Sequence, residues 1–517
     1  MSYIVKQKIK GNIYLYNVEN KWDSVNKKTF QKRTYIGAEN PIKLVKKRRN
    51  GLSLVNKNFG NIFLLKCLSE KIGIDNIVKN CFPEDYNEIM AMVYYEVMEG
   101  SPTYLFQYWL EEHHLPEVKK LDSAATSNLF ESIGKNEISR VSFTEYWIEH
   151  LKPLNALFFD ISSVSSYSTN ISFIEWGYNR DQENLAQLNI GVVYCEEKKL
   201  PVCYFLYPGS IVDVTTLKNC QKYLNKYGLK DFLFILDRGF FSTANILEMN
   251  NAKNKINFIQ PLSFGLKKTK ELIQENKHEL RHLNSAFAYN DELLYHLKSS
   301  ICFDSTNFDA HLFYNEKAEM DVRHNFLLPI FEIEKKLKDT EFKTLKTWTT
   351  YKNNNMVEKY RDFFKWNKST GRAVRNIRKI NAHLSRTGYY VMATNQTAIL
   401  RDELLSHYRN KDLVEKVFDI LKNEMDGKRL RTHNDYTTQG KIFLLFISVI
   451  LCSEITKIMN QKELFKTFTV KELMYELRKI KINNIAKDGK PIVSEISKKQ
   501  RKIFEDFEID INQVYGY

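Results

Sequence analysis

Four polar side chains in one short segment of the chain have a spacing that suits binding of a metal ion beside a phosphate. They are separated by three, four and seven positions, in the order Tyr408, Lys411, Glu415 and Lys422. At about 100° of rotation per residue, a single helix would carry all four on one face. One carboxylate, two ammonium groups and a phenol on one face could hold a divalent cation next to a phosphate. The segment alone leaves open the alternative of an ordinary solvated helix face.

Two aspartates that follow apolar runs could supply further oxygen ligands. Asp160 ends the run NALFF, and Asp237 ends the run FLFIL. An unpaired carboxylate at the end of a buried strand is unfavourable, so it requires compensation. A bound cation would provide it; a helix N-terminus or an ion pair with Arg238 are the alternatives. Mg²⁺ typically takes one or two carboxylates and keeps several waters, so Asp160, Asp237 and Glu415 would suffice for a site.

The composition is that of a globular protein with a basic surface. The chain has 517 residues, enough for about three domains. Hydrophobic residues make up 43% of it and there are only 10 prolines, which excludes disorder as the explanation of the sequence. The formal net charge of +15 favours a polyanionic partner, either nucleic acid or an anionic membrane surface. A basic surface without such a partner is the alternative.

Cysteine usage and hydropathy indicate a soluble, cytoplasmic protein. The seven cysteines include no CxxC pair, so we predict reduced thiols and neither a disulfide framework nor a zinc site. The N-terminal stretch MSYIVKQKIKGN lacks the apolar core of a signal peptide. The longest apolar run, 442–452, is too short to cross a bilayer, so we expect it to be a buried core helix and expect no membrane partner.

Hydrophobic periodicity divides the chain into six segments of mixed α/β character. Alternation predicts an N-terminal β-hairpin or meander with a basic linker over 1–55, where the run KLVKKRRNG (43–51) is a linker or a phosphate-contacting arm. Helical spacing predicts a helical domain over 56–152, which we expect to bind DNA. Short apolar runs separated by helical stretches predict a mixed sheet. The remaining segments are the first part of this α/β core at 153–262, an insertion at 263–384, the second part of the core at 385–460 and a C-terminal helical region at 461–517.

Three sequence contexts, in the right order, resemble those of bacterial insertion-sequence transposases of the Asp-Asp-Glu type. The segment 408–422 has the spacing of the large branch with the signature Tyr-x2-Arg-x3-Glu-x6-Lys, but Lys411 stands where that signature has Arg. LFFDISSVS resembles the family's first-Asp strand and implicates Asp160. ILDRGFFSTANI resembles the second-Asp context and implicates Asp237, and GYYVMATN resembles the strand before the final helix.

The resemblance implies a ribonuclease-H-like catalytic core interrupted by a largely β insertion. It also implies DNA cleavage at transposon ends and strand transfer into target DNA. Two Mg²⁺ ions, with Mn²⁺ as an alternative, would be held by Asp160, Asp237 and Glu415. The partner would be double-stranded DNA, on which a homodimer would pair two ends.

The resemblance further implies phosphate contacts for the basic and phenolic groups of the site. The residues concerned are Tyr408, Lys411, Lys422 and Arg238. Lysine at 411 lacks the planar, bidentate fork of arginine, so the geometry of its phosphate contact should differ from that of the family.

Two features of the insertion leave alternatives open. Trp348 and Trp366 could stack on an unpaired base or belong to the protein core. The Lys/Arg cluster at 368–383 could contact the DNA backbone or form a solvated helix.

Two functions of other classes compete with transposition. One is an inactive relative that only binds DNA, and the other is a ribonuclease-H-like nuclease that cleaves without strand transfer.

Overall fold

The computed structural model describes residues 2–9, 12–23, 26–38, 55–181, 183–251, 255–425, 427–484 and 491–515. The basic run at 43–51 lies outside the described residues. The N-terminal segment forms an antiparallel three-stranded meander, as its alternation of apolar and polar residues suggests. Its strands are β1 (Ser2–Ile9), β2 (Asn12–Asp23) and β3 (Lys28–Ala38).

A helical region follows the short strand β4 (Val55–Asn58). Its apolar residues recur at helical spacing and are buried against one another and against a long helix near the C-terminus. Asp122 caps the fifth of these helices by accepting a hydrogen bond from the backbone N–H of Ala125. The helices are α1 (Gly60–Lys71), α2 (Ile74–Cys81), α3 (Tyr86–Met98), α4 (Phe106–Glu112), α5 (Ser123–Lys135) and α6 (Glu137–Leu151).

A large mixed sheet carries the first part of the α/β core. In space its strands lie in the order β7-β6-β5-β8-β9, with β5, β6 and β7 antiparallel and β5, β8 and β9 parallel. The apolar run FLFIL forms β8, which is buried on both faces as parallel strands usually are. The elements are β5 (Ala156–Ser166), β6 (Gln187–Cys195), β7 (Leu200–Pro208), α7 (Asp213–Lys226), β8 (Leu233–Ile235), α8 (Thr243–Met249) and β9 (Asn257–Pro261).

The insertion has two parts. Its first part widens the central sheet by three antiparallel strands. Its second part packs around a core of its own, which includes Phe326, Trp348 and Ile380. The elements are α9 (Lys267–Leu280), β10 (Ala286–Tyr289), β11 (Glu292–Phe303), β12 (Thr306–Tyr314), α10 (Glu316–Leu337), α11 (Leu345–Asn355), β13 (Phe364–Asn367), β14 (Arg372–Arg375) and α12 (Ile377–Leu384).

The prediction of a largely β insertion is therefore wrong. Its second part is mainly helical, because a few apolar residues at helical spacing suffice to bury one face of each helix. Phe326, Ile330 and Leu337 do this for α10. The many Lys and Asn residues between such positions hide the helical period in the sequence.

The second part of the core closes the sheet and supplies its last helices. β15 (Tyr389–Thr394) lies antiparallel between β9 and β12, and β16 (Arg429–Leu430) pairs with the end of β5. The predicted single helix over 408–422 is wrong: α13 (Arg401–Arg409) ends before Asn410, and α14 (Asp412–Asp419) is a separate helix. A π-helical turn, Ile420–Glu424, follows α14 directly.

The apolar run at 442–452 lies in the core helix α15 (Asp435–Gln461), as predicted. Among the helices that the structure describes, α15 alone has the length and composition to cross a membrane, but 89% of its most apolar window is buried inside the protein. The C-terminal region returns to the helical region, because β17 pairs with β4. Its elements are α16 (Val470–Arg478), β17 (Lys481–Asn484), β18 (Ile492–Val493), α17 (Lys498–Asp506) and α18 (Ile511–Tyr515).

Candidate active site

Two carboxylates contact one ammonium group, and a third carboxylate interacts with it electrostatically. Lys411 Nζ lies 3.1 Å from Asp237 Oδ1 and 3.2 Å from Glu415 Oε1. Asp160 interacts electrostatically with both Lys411 and Asp237. The Lys411 side chain is only 15% exposed, so its charge is directed into the cluster and away from solvent. The structure thus brings Asp160, Asp237, Glu415 and Lys411 together.

The cluster carries more negative charge than Lys411 alone can neutralise. Burial, helped by the charge of Asp237, raises the pKa of Asp160 to about 6, even though the charges of Lys411 and Arg180 oppose the rise. Burial tends to lower the pKa of Lys411, but Asp237 and Asp160 outweigh it and hold that pKa above its usual value. The ammonium therefore stays protonated, and the site still favours additional positive charge.

The parallel pairing of β5 and β8 places the two aspartates at one edge of the sheet. The last residue pair between these strands is Phe158–Ile235, and Asp160 and Asp237 each follow two residues later. Carboxyl ends of adjacent parallel strands meet at the same edge, where open α/β sheets bind their ligands. The expectation that Asp160 ends its strand is wrong, because β5 runs on to Ser166 through antiparallel pairing with β6.

The break between α13 and α14 brings Lys411 to the carboxylates. Lys411 occupies the N-terminal cap position of α14, and Glu415 follows one turn later in that helix. Glu196, just after β6, fixes the break by accepting a hydrogen bond from Asn410 Nδ2 at 2.6 Å and by pairing with His407 Nδ1 at 2.5 Å. No pattern in the sequence indicates this role of Glu196.

Tyr408 and Lys422 have partners outside the carboxylate cluster, and the break between α13 and α14 makes the predicted stripe of four groups on one helix wrong. The Tyr408 ring stacks on Tyr390 of β15, with centroids 6.2 Å apart and planes at 17°. Lys422 Nζ lies 2.7 and 2.9 Å from the two carboxylate oxygens of Asp181. The helix break and the π turn change the rotation per residue, which explains why the four side chains diverge.

Arg238 stands next to the cluster without joining it. It begins the 3₁₀ turn after Asp237, its side chain is exposed, and within the described ranges it forms no ion pair. The alternative of an Asp237–Arg238 ion pair is therefore wrong, because Lys411 is the partner of Asp237. Arg238 remains available for a phosphate.

Sequence reasoning missed a second set of charges between β5 and β6. Arg180 Nη2 lies 2.5 Å from Asp213 Oδ1, and Arg180 also lowers the pKa of Asp160. Gly239 allows the approach of Asp213, since a Cβ there would lie 3.1 Å from Asp213 Oδ2. The adjacent charges of Arg180 and Asp181, just upstream of a buried strand, were the available signal.

The donor set fits a divalent cation in its chemistry, though not as a preformed cage. Carboxylate oxygens are the ligands that Mg²⁺ and Mn²⁺ prefer, and the pKa of Asp160 is raised mainly by burial, which a bound cation would offset. Within the residues described, no three His, Cys, Asp or Glu side chains are close enough together to hold a metal. Lys411 Nζ stands between the carboxylates instead, so a metal would have to replace the ammonium there.

In the insertion, Trp348 belongs to the core, and basic side chains of the cluster at 368–383 form ion pairs with neighbouring carboxylates. Trp348 is 3% exposed in the insertion core, and Trp366 donates its indole N–H to the Phe342 carbonyl oxygen at 3.1 Å. Base stacking by Trp348 is therefore wrong, and the core alternative holds. Within 368–383, three basic side chains form ion pairs with carboxylates of the insertion; these pairs are Arg372–Glu341, Arg375–Glu334 and Lys379–Asp362.

Comparison with known proteins identifies the class. The model of the family described as "Transposase DDE domain" matches residues 153–451, more than half of the chain and all of the carboxylate cluster. The chain belongs to this family. It is therefore a DNA transposase, an enzyme that cleaves DNA strands and joins them.

Among solved structures, the chain is similar to piggyBac transposase in a synaptic complex with hairpin DNA. The two share 11% sequence identity with a TM-score of 0.37, over 76% of this chain and 70% of that one. No curated protein matches the sequence. The assignment to the family rests on the match over residues 153–451.

Proposed function

We propose that the enzyme is a metal-dependent transposase whose catalytic carboxylates are Asp160, Asp237 and Glu415. The single observation that carries this proposal is their meeting around Lys411 Nζ. Three acidic groups that share one partly buried cation form an arrangement that retains affinity for further positive charge. A purely structural ion pair with Lys411 would need only one of these three carboxylates.

A divalent metal, which we propose to be a pair of Mg²⁺ or Mn²⁺ ions, would be held by these three residues. When bound, such ions activate an attacking hydroxyl and stabilise the leaving oxygen of a phosphodiester. The chain's own groups bind and orient the DNA. Arg238 is exposed beside Asp237, while Lys422 and Lys411 become available to phosphates once they leave Asp181 and the carboxylates.

We further propose that the core is ribonuclease-H-like. Three antiparallel strands in chain order, followed by two parallel strands on the other side of the first, support this assignment. The metal-binding edge then lies between the first and fourth of these strands, β5 and β8.

Several wider expectations continue as proposals. They follow from the resemblance and the composition. They are double-stranded DNA as partner, a homodimer on paired transposon ends, a bacterial insertion-sequence origin and a cytoplasmic location. The seven cysteines are all free, which agrees with reduced thiols.

The test is Mg²⁺-dependent cleavage of DNA that carries the element's own ends. Wild-type protein should nick these ends, and Glu415→Gln should not. Cleavage that survives this substitution would refute the proposed triad. Wild-type protein that binds the DNA but never cleaves it would favour the inactive, DNA-binding alternative.

Strand transfer separates a transposase from a nuclease of the same fold. Incubating pre-cleaved ends with supercoiled plasmid should give joined products from the wild type. Cleavage without joined products would favour the nuclease alternative.

A further inference from the structure

One arginine beside the carboxylate cluster uses only part of its guanidinium in the folded protein. Arg180, on the loop between β5 and β6, donates from Nη2 to Asp213 Oδ1 at 2.5 Å. Among the described residues, its Nε and Nη1 groups form no hydrogen bond or ion pair. A guanidinium has five N–H donors in a fixed fork, so one edge of Arg180 remains for a second anion.

The contacts of Arg180 put its guanidinium at the edge of the sheet where the carboxylates lie. Asp160 on β5 interacts electrostatically with Arg180. Asp213, which holds the guanidinium, lies against the turn that follows Asp237, because a Cβ on Gly239 would lie 3.1 Å from Asp213 Oδ2. Arg180 therefore lies between the strand that carries one catalytic aspartate and the turn after the other.

Both sides of this ion pair rest on fixed supports. The loop before the arginine is bound to β5, because Asn179 Nδ2 donates to Ser165 Oγ at 3.1 Å. On the side of the aspartate, Asn245 of α8 donates to the carbonyl oxygens of Val214 and Phe240, both at 3.0 Å. This amide ties the start of α7 to the turn after β8. A guanidinium that is already held loses little conformational freedom when it binds a ligand.

The position that carries an arginine in the family signature cannot provide a fork in this chain. Lys411 Nζ lies between Asp237 and Glu415, at 3.1 and 3.2 Å. An ammonium is a point charge, whereas a guanidinium can contact two phosphate oxygens at once. Arg238 is also near, but it is exposed, and among the described residues no partner orients its side chain. Arg180 is the arginine that Asp213 already orients at this edge.

We propose that Arg180 binds the phosphate of the cleaved bond and makes there the bidentate contact that Lys411 cannot make. Asp213 keeps one edge of the guanidinium and leaves the other for the phosphate. The group recognised is a phosphodiester of DNA that lies against the carboxylates. This inference rests on the proposed function, since it requires DNA cleavage at the carboxylate cluster.

The experiment measures how the full chain binds a duplex that carries the element's own end. Cleavage by the wild type in Mg²⁺ first locates the cleaved bond. Binding is then measured in Ca²⁺, which also takes oxygen ligands, and a gel confirms that the probes stay intact. One probe is unmodified, a second has a neutral methylphosphonate at the cleaved bond, and a third has it one helical turn away. Fluorescence anisotropy gives the three affinities.

The variants separate the fork of the guanidinium from its charge. Arg180→Ala removes both, and Arg180→Lys keeps the charge beside Asp213 without the fork. The matched control is Arg478→Ala, which removes an arginine of similar exposure, 27% against 24%, that is also held by carboxylates. Thermal melting shows whether each variant is folded.

The wild type should bind the second probe at least about tenfold more weakly than the other two, because charge-assisted contacts to the phosphate are lost. Arg180→Ala should lose about tenfold on the unmodified and third probes and nothing further on the second. Arg180→Lys should recover only part of this loss. Arg478→Ala should rank the three probes as the wild type does.

Three results would overturn the inference. One is an equal loss on all three probes in folded Arg180→Ala, as a purely structural ion pair would give. The others are no loss on any probe and full recovery by Arg180→Lys. If Arg180→Ala does not fold, Arg180→Lys decides by the same comparison: a loss confined to the unmodified and third probes supports the contact. A wild type that cleaves no bond in Mg²⁺ would refute the proposed function itself.

Discussion

The carboxylate cluster and the second part of the insertion are built in opposite ways. In the cluster, like charges are held together by the middle of β5, the end of β8 and the start of α14, with Lys411 as a shared counter-charge. In the insertion, rings pack on one another: Phe326 lies 4.3 Å from His383 between ring centroids, and Phe342 lies 5.1 Å from Trp348. The cluster retains negative charge that a cationic ligand could neutralise. The second part of the insertion instead buries a small hydrophobic core that is separate from the main core.

This difference predicts that substitutions in the two regions affect separate properties. In the cluster, the loss should appear in activity, because the carboxylates oppose one another and contribute little to stability. In the insertion, the loss should appear in local stability, because burial of rings is the main stabilising interaction there.

The largest expected effect is the loss of cleavage in Glu415→Gln. We expect a decrease of at least about ten-thousandfold, or about 5 kcal/mol in transition-state stabilisation, because a metal-binding carboxylate becomes a neutral amide. The thermal midpoint should hardly change. The matched control is Asp419→Asn in the same helix, since the side chain of Asp419 bonds only Asn423 among the residues described. A large decrease in the unfolding temperature of Glu415→Gln would contradict the prediction that the cluster contributes to activity and not to stability.

The next effect is local destabilisation of the insertion by Trp348→Ala. Removing this buried indole should cost about 3–5 kcal/mol. Hydrogen–deuterium exchange should rise in α10, α11 and α12 and stay unchanged in β5 and β8, because the insertion core is separate from the main core. Faster exchange in both regions would contradict the separation of the two cores.

A smaller effect concerns the contacts of Glu196 with His407 and Asn410, which fix the helix break. We call these contacts the clamp, and we expect its stability to depend on pH. Burial lowers the pKa of His407, but its hydrogen bond to Glu196, with the charges of Glu196 and Glu403, raises it to a net value above the usual one. A raised folded-state pKa gives stability that is complete below the ordinary histidine pKa and is lost as the pH rises through the folded value. The loss should be about 1–2 kcal/mol.

Thermal melting between slightly acidic and alkaline pH measures this loss. His407→Gln should flatten the profile over that window. An unchanged pH profile in this variant would exclude the clamp as its source.

The smallest effect is on the salt dependence of DNA binding. Lys422→Gln should lower the slope of log affinity against log salt by about one unit and weaken binding a fewfold, because one phosphate contact is lost. Asp181→Asn should strengthen binding, because it frees the ammonium of Lys422. If neither substitution changes the slope, Lys422 makes no phosphate contact.

The sequence predicted the strands and the candidate carboxylates better than the path of the chain between them. Apolar runs located β5 and β8, and parallel pairing then brings Asp160 and Asp237 together. The helix break at Asn410 could not be predicted, because the helical period continues through 408–422 and the break depends on Glu196, more than 200 residues away. The catalytic roles themselves stay a prediction.

The partners of the charged groups depend on tertiary contacts, so periodicity could not reveal them. Lys422 forms an ion pair with Asp181, and Arg180 forms an ion pair with Asp213. The exposure of Trp176 and the burial of Trp348 differ for the same reason: both are tryptophans in polar stretches of sequence, and only packing distinguishes them.

Mn²⁺ binding to the full chain, followed by electron paramagnetic resonance, shows whether Asp160, Asp237 and Glu415 form a metal site. The wild type, Lys411→Ala and the double variant Lys411→Ala with Asp160→Asn are compared without DNA. If the three carboxylates form the metal site, Lys411→Ala should bind Mn²⁺ about tenfold more tightly than the wild type, because the competing ammonium is gone. The double variant should lose that gain. Equal Mn²⁺ affinity in all three proteins would contradict a metal site at Asp160, Asp237 and Glu415.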